Sequence, residues 1–167
     1  MTMSSKKKAL ATVAGVAVIA VAAAFAYASA PSETRAIQAT APVGNEQALI
    51  EAGRYVAVAS DCIACHTAPG GKPFAGGRAI ASPIGNMYST NITPDKATGI
   101  GNYSLNDFDR AVRHGIARDG TSLYPAMPYP SYARMNDGDV RALYAYFMKG
   151  VEPVAAANHA NDISWPL

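Results

Sequence analysis

Apolar residues recur at helical spacing in three stretches of the chain, residues 45–60, 104–117 and 136–149. Each stretch begins with an Asn or a Ser, whose side chain can accept hydrogen bonds from the free backbone N–H groups of a first helical turn. The i, i+3, i+4, i+7 spacing predicts one buried face on each helix. In chain order these faces contain Leu49, Ala52, Gly53 and Val56, then Leu105, Phe108 and Val112, then Val140, Leu143, Tyr144 and Phe147.

The segments between these helices show no regular periodicity. Residues 67–103 are rich in Gly and Pro, and such a long irregular stretch is uncommon in a compact domain. A bulky prosthetic group would account for it, because loop residues can pack on that group in place of a protein core. Within residues 118–135, three closely spaced prolines predict an extended path and exclude a helix. The apolar loop residues that either line a pocket or anchor the loop are Phe74, Ile80, Ile84, Met87 and Ile92.

Residues 1–30 have the pattern of a membrane anchor or a signal sequence. Three lysines at positions 6–8 precede an uncharged apolar core, residues 9–28. As a helix, this core would span a hydrocarbon layer of ~30 Å, while Ala28-Ser29-Ala30 matches a signal-cleavage site. The length of the core and Pro31 after the site favour a retained anchor. With either interpretation the lysines stay in the cytoplasm and the rest of the chain reaches the periplasm.

The rest of the chain is close to neutral in charge. From Pro31 onward there are eleven basic and twelve acidic residues, so the charge pattern argues against a nucleic-acid partner. Residues 31–44, rich in Ala, Pro and Thr, predict a tether. Residues 45–153 then form one domain, and residues 154–167 are a tail to which the pattern assigns no structure.

The candidate chemistry lies at residues 62–66, Cys-Ile-Ala-Cys-His. C-x-x-C-H is the attachment signature of a c-type haem. Two thiols on one turn of chain can each form a thioether with a haem vinyl group, and the next histidine can ligate the iron. A redox-active thiol pair would not need His66, and a zinc site would need further ligands at comparable spacing. Because Cys62 and Cys65 are the chain's two cysteines, the sequence predicts one covalent haem c with His66 as the proximal iron ligand.

Met127 is the preferred candidate for the second axial position on the iron. It lies in a stiff loop between prolines, which can hold a thioether against the iron. A sulfur ligand favours Fe(II) and raises the reduction potential. The alternatives are Met135, Met87, His114 or an open position.

The order of helix, C-x-x-C-H, long loop, helix, methionine loop and final helix resembles the class I cytochromes c. The sequence is more closely similar to the cytochrome c subunits of membrane-bound periplasmic dehydrogenases that act on alcohols, aldehydes, gluconate or sorbitol. The resemblance covers residues 45–153 and implies an all-α fold, with crossing N- and C-terminal helices and long haem-packing loops. The stretches that carry it are GRYVAVASDCIACHT, GGKPFAGG, MYSTNITPD, GIGNYSLNDFDRAVRHGIARDG, LYPAMPYPSY and DGDVRALYAYFMKGVEPV.

The resemblance also implies individual roles. Cys62 and Cys65 match the thioether sites, His66 the proximal ligand and Met127 the distal ligand. Pro83 resembles the proline whose carbonyl accepts a hydrogen bond from the second ring nitrogen of the proximal histidine, which orients the ring.

The helix crossing implied by the resemblance has its own residues. It would bring Gly53 and Tyr55 of the first helix against Leu143 and Tyr144 of the last one. A close approach of two helices there would explain a glycine inside a helix.

The implied function is electron transfer in the periplasm, with no catalysis by this chain. A dehydrogenase catalytic subunit would supply single electrons, and a quinone, another cytochrome or a terminal oxidase would receive them. The alternative is a five-coordinate haem that senses a gas or reacts with peroxide. A third possibility, a membrane tether for a dehydrogenase, is compatible with electron transfer. The dehydrogenase subunits commonly carry three haem modules, so this chain is either a single-haem relative or one such module alone.

Overall fold

The computed structural model describes residues 5–28, 37 and 45–164. They belong to two units, one that extends to Arg35 and one that begins at Ala36. The first unit contains helix α1, Ser5–Ala28. Among the described residues, no helix is both long enough and apolar enough to cross a membrane.

The membrane anchor predicted for residues 9–28 is therefore not confirmed. The predicted cleavage site at Ala30 lies outside the described residues. The same holds for the predicted tether, residues 31–44, apart from Ile37, which is buried in the core of the second unit.

The second unit is mostly helical, as the sequence predicts, but it also contains a small antiparallel sheet. The expectation of a purely α fold is wrong in this respect, because part of the long loop folds into a hairpin and the tail pairs with it. The elements are α2 (Glu46–Ala59), α3 (Cys62–Cys65), β1 (Ala79–Ser82), β2 (Gly85–Tyr88), α4 (Leu105–His114), α5 (Tyr129–Tyr132), α6 (Asp137–Ala145), a π-helical turn (Tyr146–Gly150) and β3 (Asp162–Ile163).

The three main helices begin after the residues predicted to cap them, Asn45, Ser104 and Asn136. In each case the cap side chain accepts a hydrogen bond from a backbone N–H of the first turn, and Ser104 forms a full capping box. At its other end α4 stops at Gly115, which has a φ of 66°. Glycine adopts this left-handed conformation without steric cost.

Helices α2 and α6 cross in close contact at Gly53, as predicted. A Cβ atom on Gly53 would overlap the carbonyl oxygen of Ala142 and the Cβ of Tyr146. The predicted partners were partly wrong, because Tyr55 is 73% exposed and the OH of Tyr144 donates to the carbonyl of Tyr103 instead. Two positions from Gly53 a helix has turned by about 200°, so Tyr55 lies on the opposite face.

The hydrophobic core lies where α4 and the long loop pack against α6 and its π-helical turn. Phe147 is almost completely buried. Its ring meets Phe74 edge-on at 5.2 Å between centroids, and Phe108 at 6.0 Å. Phe74 and Met87, predicted as pocket or anchor residues, are both buried, and Phe74 belongs to this core.

Arg113, which pairs with a buried carboxylate of its own helix, fastens α4 to the start of α6. Asp109 is almost fully buried and pairs with Arg113 one turn later. Arg113 Nη1 also donates to the Met135 carbonyl at 3.0 Å and to Asp137 at 3.1 Å. The negative charge of Asp109 is therefore compensated, as a buried carboxylate requires.

Residues 154–164 of the tail are part of the folded unit, although the sequence pattern assigned them no structure. Its strand β3 pairs with β2, with Asp162 opposite Asn86. The side chain of Asn161 accepts a hydrogen bond from the backbone N–H of Tyr88 at 2.9 Å. These contacts join positions that are far apart in the sequence. No pattern of neighbouring residues could therefore predict them.

The loop that contains Met127 is also more ordered than predicted. It leads into α5, one helical turn with Pro130 near its start. The prolines did not exclude a helix here, because the first turn of a helix needs no N–H from a proline.

We expect Gly53→Ala to destabilise the protein by ~3 kcal/mol or more, because the new Cβ would force α2 and α6 apart. Helix propensity alone would predict stabilisation by about 1 kcal/mol, so the sign of the effect tests the crossing. The free energy of unfolding in guanidinium chloride measures it. Ala52→Ser adds one heavy atom at the neighbouring exposed position and should change this free energy little; stabilisation by Gly53→Ala would contradict the contact.

Candidate haem site

The two cysteines lie at the ends of α3, a single helical turn. Asp61 precedes it with a φ of 54°, a left-handed conformation that redirects the chain from α2 into α3. Both thiols are free, with Cys62 half-buried and Cys65 exposed. Burial raises the pKa of the Cys62 thiol to about 11, so this thiol is protonated at neutral pH. Neither sulfur is committed to a disulfide, and both are available for thioether bonds.

His66 follows α3 directly and has a fixed ring orientation. Its Nδ1 lies 2.7 Å from the carbonyl oxygen of Thr90. A carbonyl can only accept, so Nδ1 carries the proton and donates, which leaves the lone pair on Nε2 for a metal. Burial lowers the pKa of His66, against the opposing effect of the Thr90 carbonyl. The neutral form that this favours is the one that ligates metals.

The carbonyl that orients His66 was predicted to be that of Pro83, and the structure gives Thr90 this role instead. Pro83 lies in the turn between β1 and β2, where the hydroxyl of Ser82 donates to the Gly85 carbonyl at 2.8 Å. The hairpin places Pro83 at its tip. Thr90 follows the hairpin, where the chain passes His66.

The Thr90–Asn91 peptide group is held from several sides. Gly76 packs against it so closely that a Cβ there would lie 2.5 Å from Thr90 C and 2.6 Å from Asn91 N. The N–H of Gly76 donates to the His66 carbonyl at 2.8 Å. On the far side, the N–H of Asn91 donates to Oδ1 of Asn158 at 2.7 Å.

The Met127 loop is connected to the cysteine motif through α5. The hydroxyl of Tyr132 donates to the carbonyl of Ser60 at 2.8 Å, immediately before the motif. Burial raises the pKa of Tyr132 to about 12, and the nearby thiol of Cys62 adds to this. Met127 itself is half-buried, and its carbonyl accepts from the N–H of Tyr129 at 2.9 Å.

The alternatives to Met127 have other surroundings. Met87 is buried in β2, and Met135 packs against the hydrophobic core. His114 is exposed in the last turn of α4. Met127 differs from these side chains in its place, since it lies in the proline-bracketed loop before α5.

These residues fit a covalently attached haem. Two free thiols lie one helical turn apart, and the adjacent neutral imidazole is oriented by its Nδ1 with Nε2 available. The sequence identified the thiols and the imidazole because the motif is local. The sequence analysis did not assign a role to Thr90, Gly76 or Asn158. The Gly76-Gly77 pair and the stretch MYSTNITPD were nevertheless signals of a constrained loop.

The chain matches the family model described as Cytochrome c over residues 50–150. It is 65% identical over 120 residues to the gluconate 2-dehydrogenase cytochrome c subunit of Pantoea cypripedii, covering 72% of this chain and 27% of that protein. It is 64% identical over 122 residues to the cytochrome c subunit of a quinone alcohol dehydrogenase of Gluconobacter oxydans, covering 73% and 26%. It is also 52% identical over 127 residues to the fructose dehydrogenase cytochrome subunit of Gluconobacter japonicus, covering 75% and 26%. The chain thus spans about a quarter of the length of these relatives.

Gly76→Ala and Gly77→Ala form a matched pair that tests the packing around Thr90. Both glycines have a left-handed φ, 74° and 79°, so alanine costs about 1–2 kcal/mol of backbone strain at either position. At Gly76 the methyl group would also collide with the Thr90–Asn91 peptide, whereas at Gly77 its nearest neighbour is 3.7 Å away. We expect Gly76→Ala to lower the free energy of unfolding by ~2 kcal/mol more than Gly77→Ala. Equal losses in denaturant titrations would contradict this packing.

Proposed function

The chain belongs to the cytochrome c family, and from that premise we propose that it is an electron carrier with one covalently attached haem c. The observation that carries the proposal is the pair of free thiols one turn apart beside a histidine whose Nδ1 donates to Thr90. The bound haem supplies a one-electron couple at its iron. The chain's residues hold it, orient it and exclude water.

Each residue of the motif has a separate role in this proposal. Cys62 and Cys65 would form the two thioether bonds that hold the haem at the chain. His66 presents Nε2 as the proximal ligand, and its hydrogen bond to Thr90 prevents rotation of the ring. Such outer hydrogen bonds both orient a ligating histidine and raise its basicity.

Met127 is the proposed distal ligand. Its support is its place in a proline-bracketed loop that the Tyr132–Ser60 hydrogen bond fastens to the cysteine motif. The thioether favours the reduced iron and raises the reduction potential. His66 and Met127 would together hold the iron, so the chain would need little rearrangement when the iron changes charge, and it would need no acid, base or nucleophile.

The proposed electron donor is the catalytic subunit of a membrane-associated dehydrogenase that oxidises a small alcohol, aldehyde or sugar. The support is that the similar proteins are cytochrome subunits named for gluconate, alcohol and fructose dehydrogenases. A quinone, another cytochrome or a terminal oxidase would accept the electron. The chain is then an electron-transfer subunit and leaves substrate oxidation to its partner.

The proposed location is the periplasmic side of the inner membrane. Its support is the sequence of residues 1–30, with three lysines before an uncharged apolar stretch. Residues 9–28 either remain as an anchor or leave with a signal cleaved after Ala30. The intact mass of the chain purified from its own organism separates these two forms.

Met127→Leu tests the distal ligand, because it removes the sulfur and keeps an apolar side chain of similar size. We expect loss of the red-edge absorbance band of methionine-ligated Fe(III). We also expect the reduction equilibrium constant to fall at least tenfold, which corresponds to a decrease of about 59 mV in the reduction potential for one electron. Visible spectroscopy and a redox titration measure both.

Met87→Leu and Met135→Leu are the controls for this experiment, and both should keep the band. A wild-type protein that lacks the band and binds carbon monoxide readily when reduced would instead indicate a five-coordinate, ligand-binding haem.

Purification of the chain from gently solubilised membranes of its own organism tests the partner. We expect a dehydrogenase catalytic subunit to co-purify, and its alcohol or sugar substrate to reduce the haem within the preparation. Met127→Ala should slow electron delivery to quinone while the complex stays assembled. Unchanged activity in that variant would indicate a tether, and a haem that no substrate reduces would refute the proposed donor.

A further inference from the structure

The peptide group that orients His66 is hydrogen-bonded at both of its ends. Its carbonyl, from Thr90, lies 2.7 Å from Nδ1 of His66. Its N–H, from Asn91, donates to Oδ1 of Asn158 at 2.7 Å. The imidazole, the peptide and the Asn158 amide thus form one continuous series of hydrogen bonds.

A buried network keeps this peptide from rotating. The side chain of Asn91 is almost fully buried and uses both of its ends. Its Nδ2 donates to the carbonyl of Val154 at 2.7 Å, and its Oδ1 accepts from the N–H of Thr93 at 2.9 Å. Further bonds of Nδ2 reach Thr98 Oγ1 at 3.1 Å and the Ala156 carbonyl at 3.2 Å. The loop and the tail therefore lock the Thr90–Asn91 peptide in one orientation.

Hydrogen bonds in series polarise one another in a low-dielectric environment. Donation from the Asn91 N–H to Asn158 draws electron density along the planar peptide and makes the Thr90 oxygen a stronger acceptor. A stronger acceptor pulls the Nδ1 proton of His66 and raises the basicity of Nε2. A more basic ligand stabilises the oxidised iron.

We infer that Asn158 is a positioning residue for the proximal ligand: through the Thr90–Asn91 peptide it fixes the ring of His66 and lowers the reduction potential. This inference rests on the proposed ligation by His66. It gives residues 154–158, which hydrogen-bond to Asn91, a role in orienting the proximal ligand.

Asn158→Ala in the haem-loaded protein is the direct test. Its side chain is exposed, so the substitution removes the hydrogen-bond acceptor without opening a core cavity. We expect the reduction equilibrium constant to rise two- to tenfold, which corresponds to an increase of about 18 to 59 mV in the reduction potential for one electron. The hyperfine-shifted haem methyl resonances should also move in the NMR spectrum, because they report the ring orientation of the axial histidine.

Asn161→Ala is the matched control. Asn161 lies in the same tail and also accepts a hydrogen bond from a loop backbone N–H, that of Tyr88 at 2.9 Å, but this bond does not reach the Thr90–Asn91 peptide. The Asn161→Ala variant should leave the reduction potential and the haem methyl shifts unchanged. If both variants move them equally, general loosening of the tail explains the effect and the inference is wrong.

Two further variants separate the hydrogen bonds of Asn158. Asn158→Asp keeps the acceptor for the Asn91 N–H and loses the donor that bonds the Thr98 carbonyl at 3.1 Å; it should retain the wild-type methyl shifts. Asn158→Gln keeps an exposed amide but moves its oxygen by one carbon, and it should behave like Asn158→Ala even if the alanine variant folds poorly.

The failure of this inference is distinguishable from failure of the proposed function. A wild-type protein without covalent haem by mass spectrometry, or without histidine ligation by NMR, would refute the proposed function. A wild-type protein with both, whose Asn158→Ala and Asn158→Gln variants keep the wild-type potential and methyl shifts, would refute the inference alone.

Discussion

The close approach of α2 and α6 at Gly53 is the contact on which the site depends. Helix α2 leads directly into the cysteine motif, and α6 begins directly after the Met127 loop and α5. Fixing the crossing of these helices therefore fixes the starting points of both segments that would face the iron. The Tyr132–Ser60 hydrogen bond then joins those two segments near the motif. The lack of a Cβ atom at Gly53 thus influences the positions of segments that lie a full helix turn or more away.

The surroundings of His66 are rigid in a way that suits electron transfer. The peptide whose carbonyl accepts the hydrogen bond from its Nδ1–H is packed against Gly76, and the N–H of that peptide donates to Asn158 of the tail. The buried Asn91 side chain uses both its Nδ2 and its Oδ1 in hydrogen bonds to the chain. A preorganised environment of this kind reduces the structural cost of each redox step.

Local signals in the sequence predicted much of the fold, and the motif that would attach a haem is itself local. Asn45, Ser104 and Asn136 could be predicted as caps because capping involves residues two or three positions apart, three in each case here. The role of Thr90, in contrast, depends on a hairpin and on a partner 24 positions away, and no periodicity encodes it. The prediction for Tyr55 was wrong because the contacts of a helical residue depend on its angular position around the helix axis. A residue two positions from Gly53 points away from the helix crossing.

The hydrogen bonds between Asn91 and the tail span 63 to 67 positions of the chain, which has a consequence for the order of assembly. Contacts between distant positions form late in folding, since the loop entropy must be overcome before they contribute. In a chain that emerges with its N-terminus first, the thiols and imidazole of residues 62–66 are present well before Asn158. A haem attached at that stage would be bound in an unfinished pocket, and docking of the tail would complete the orientation of His66 afterwards.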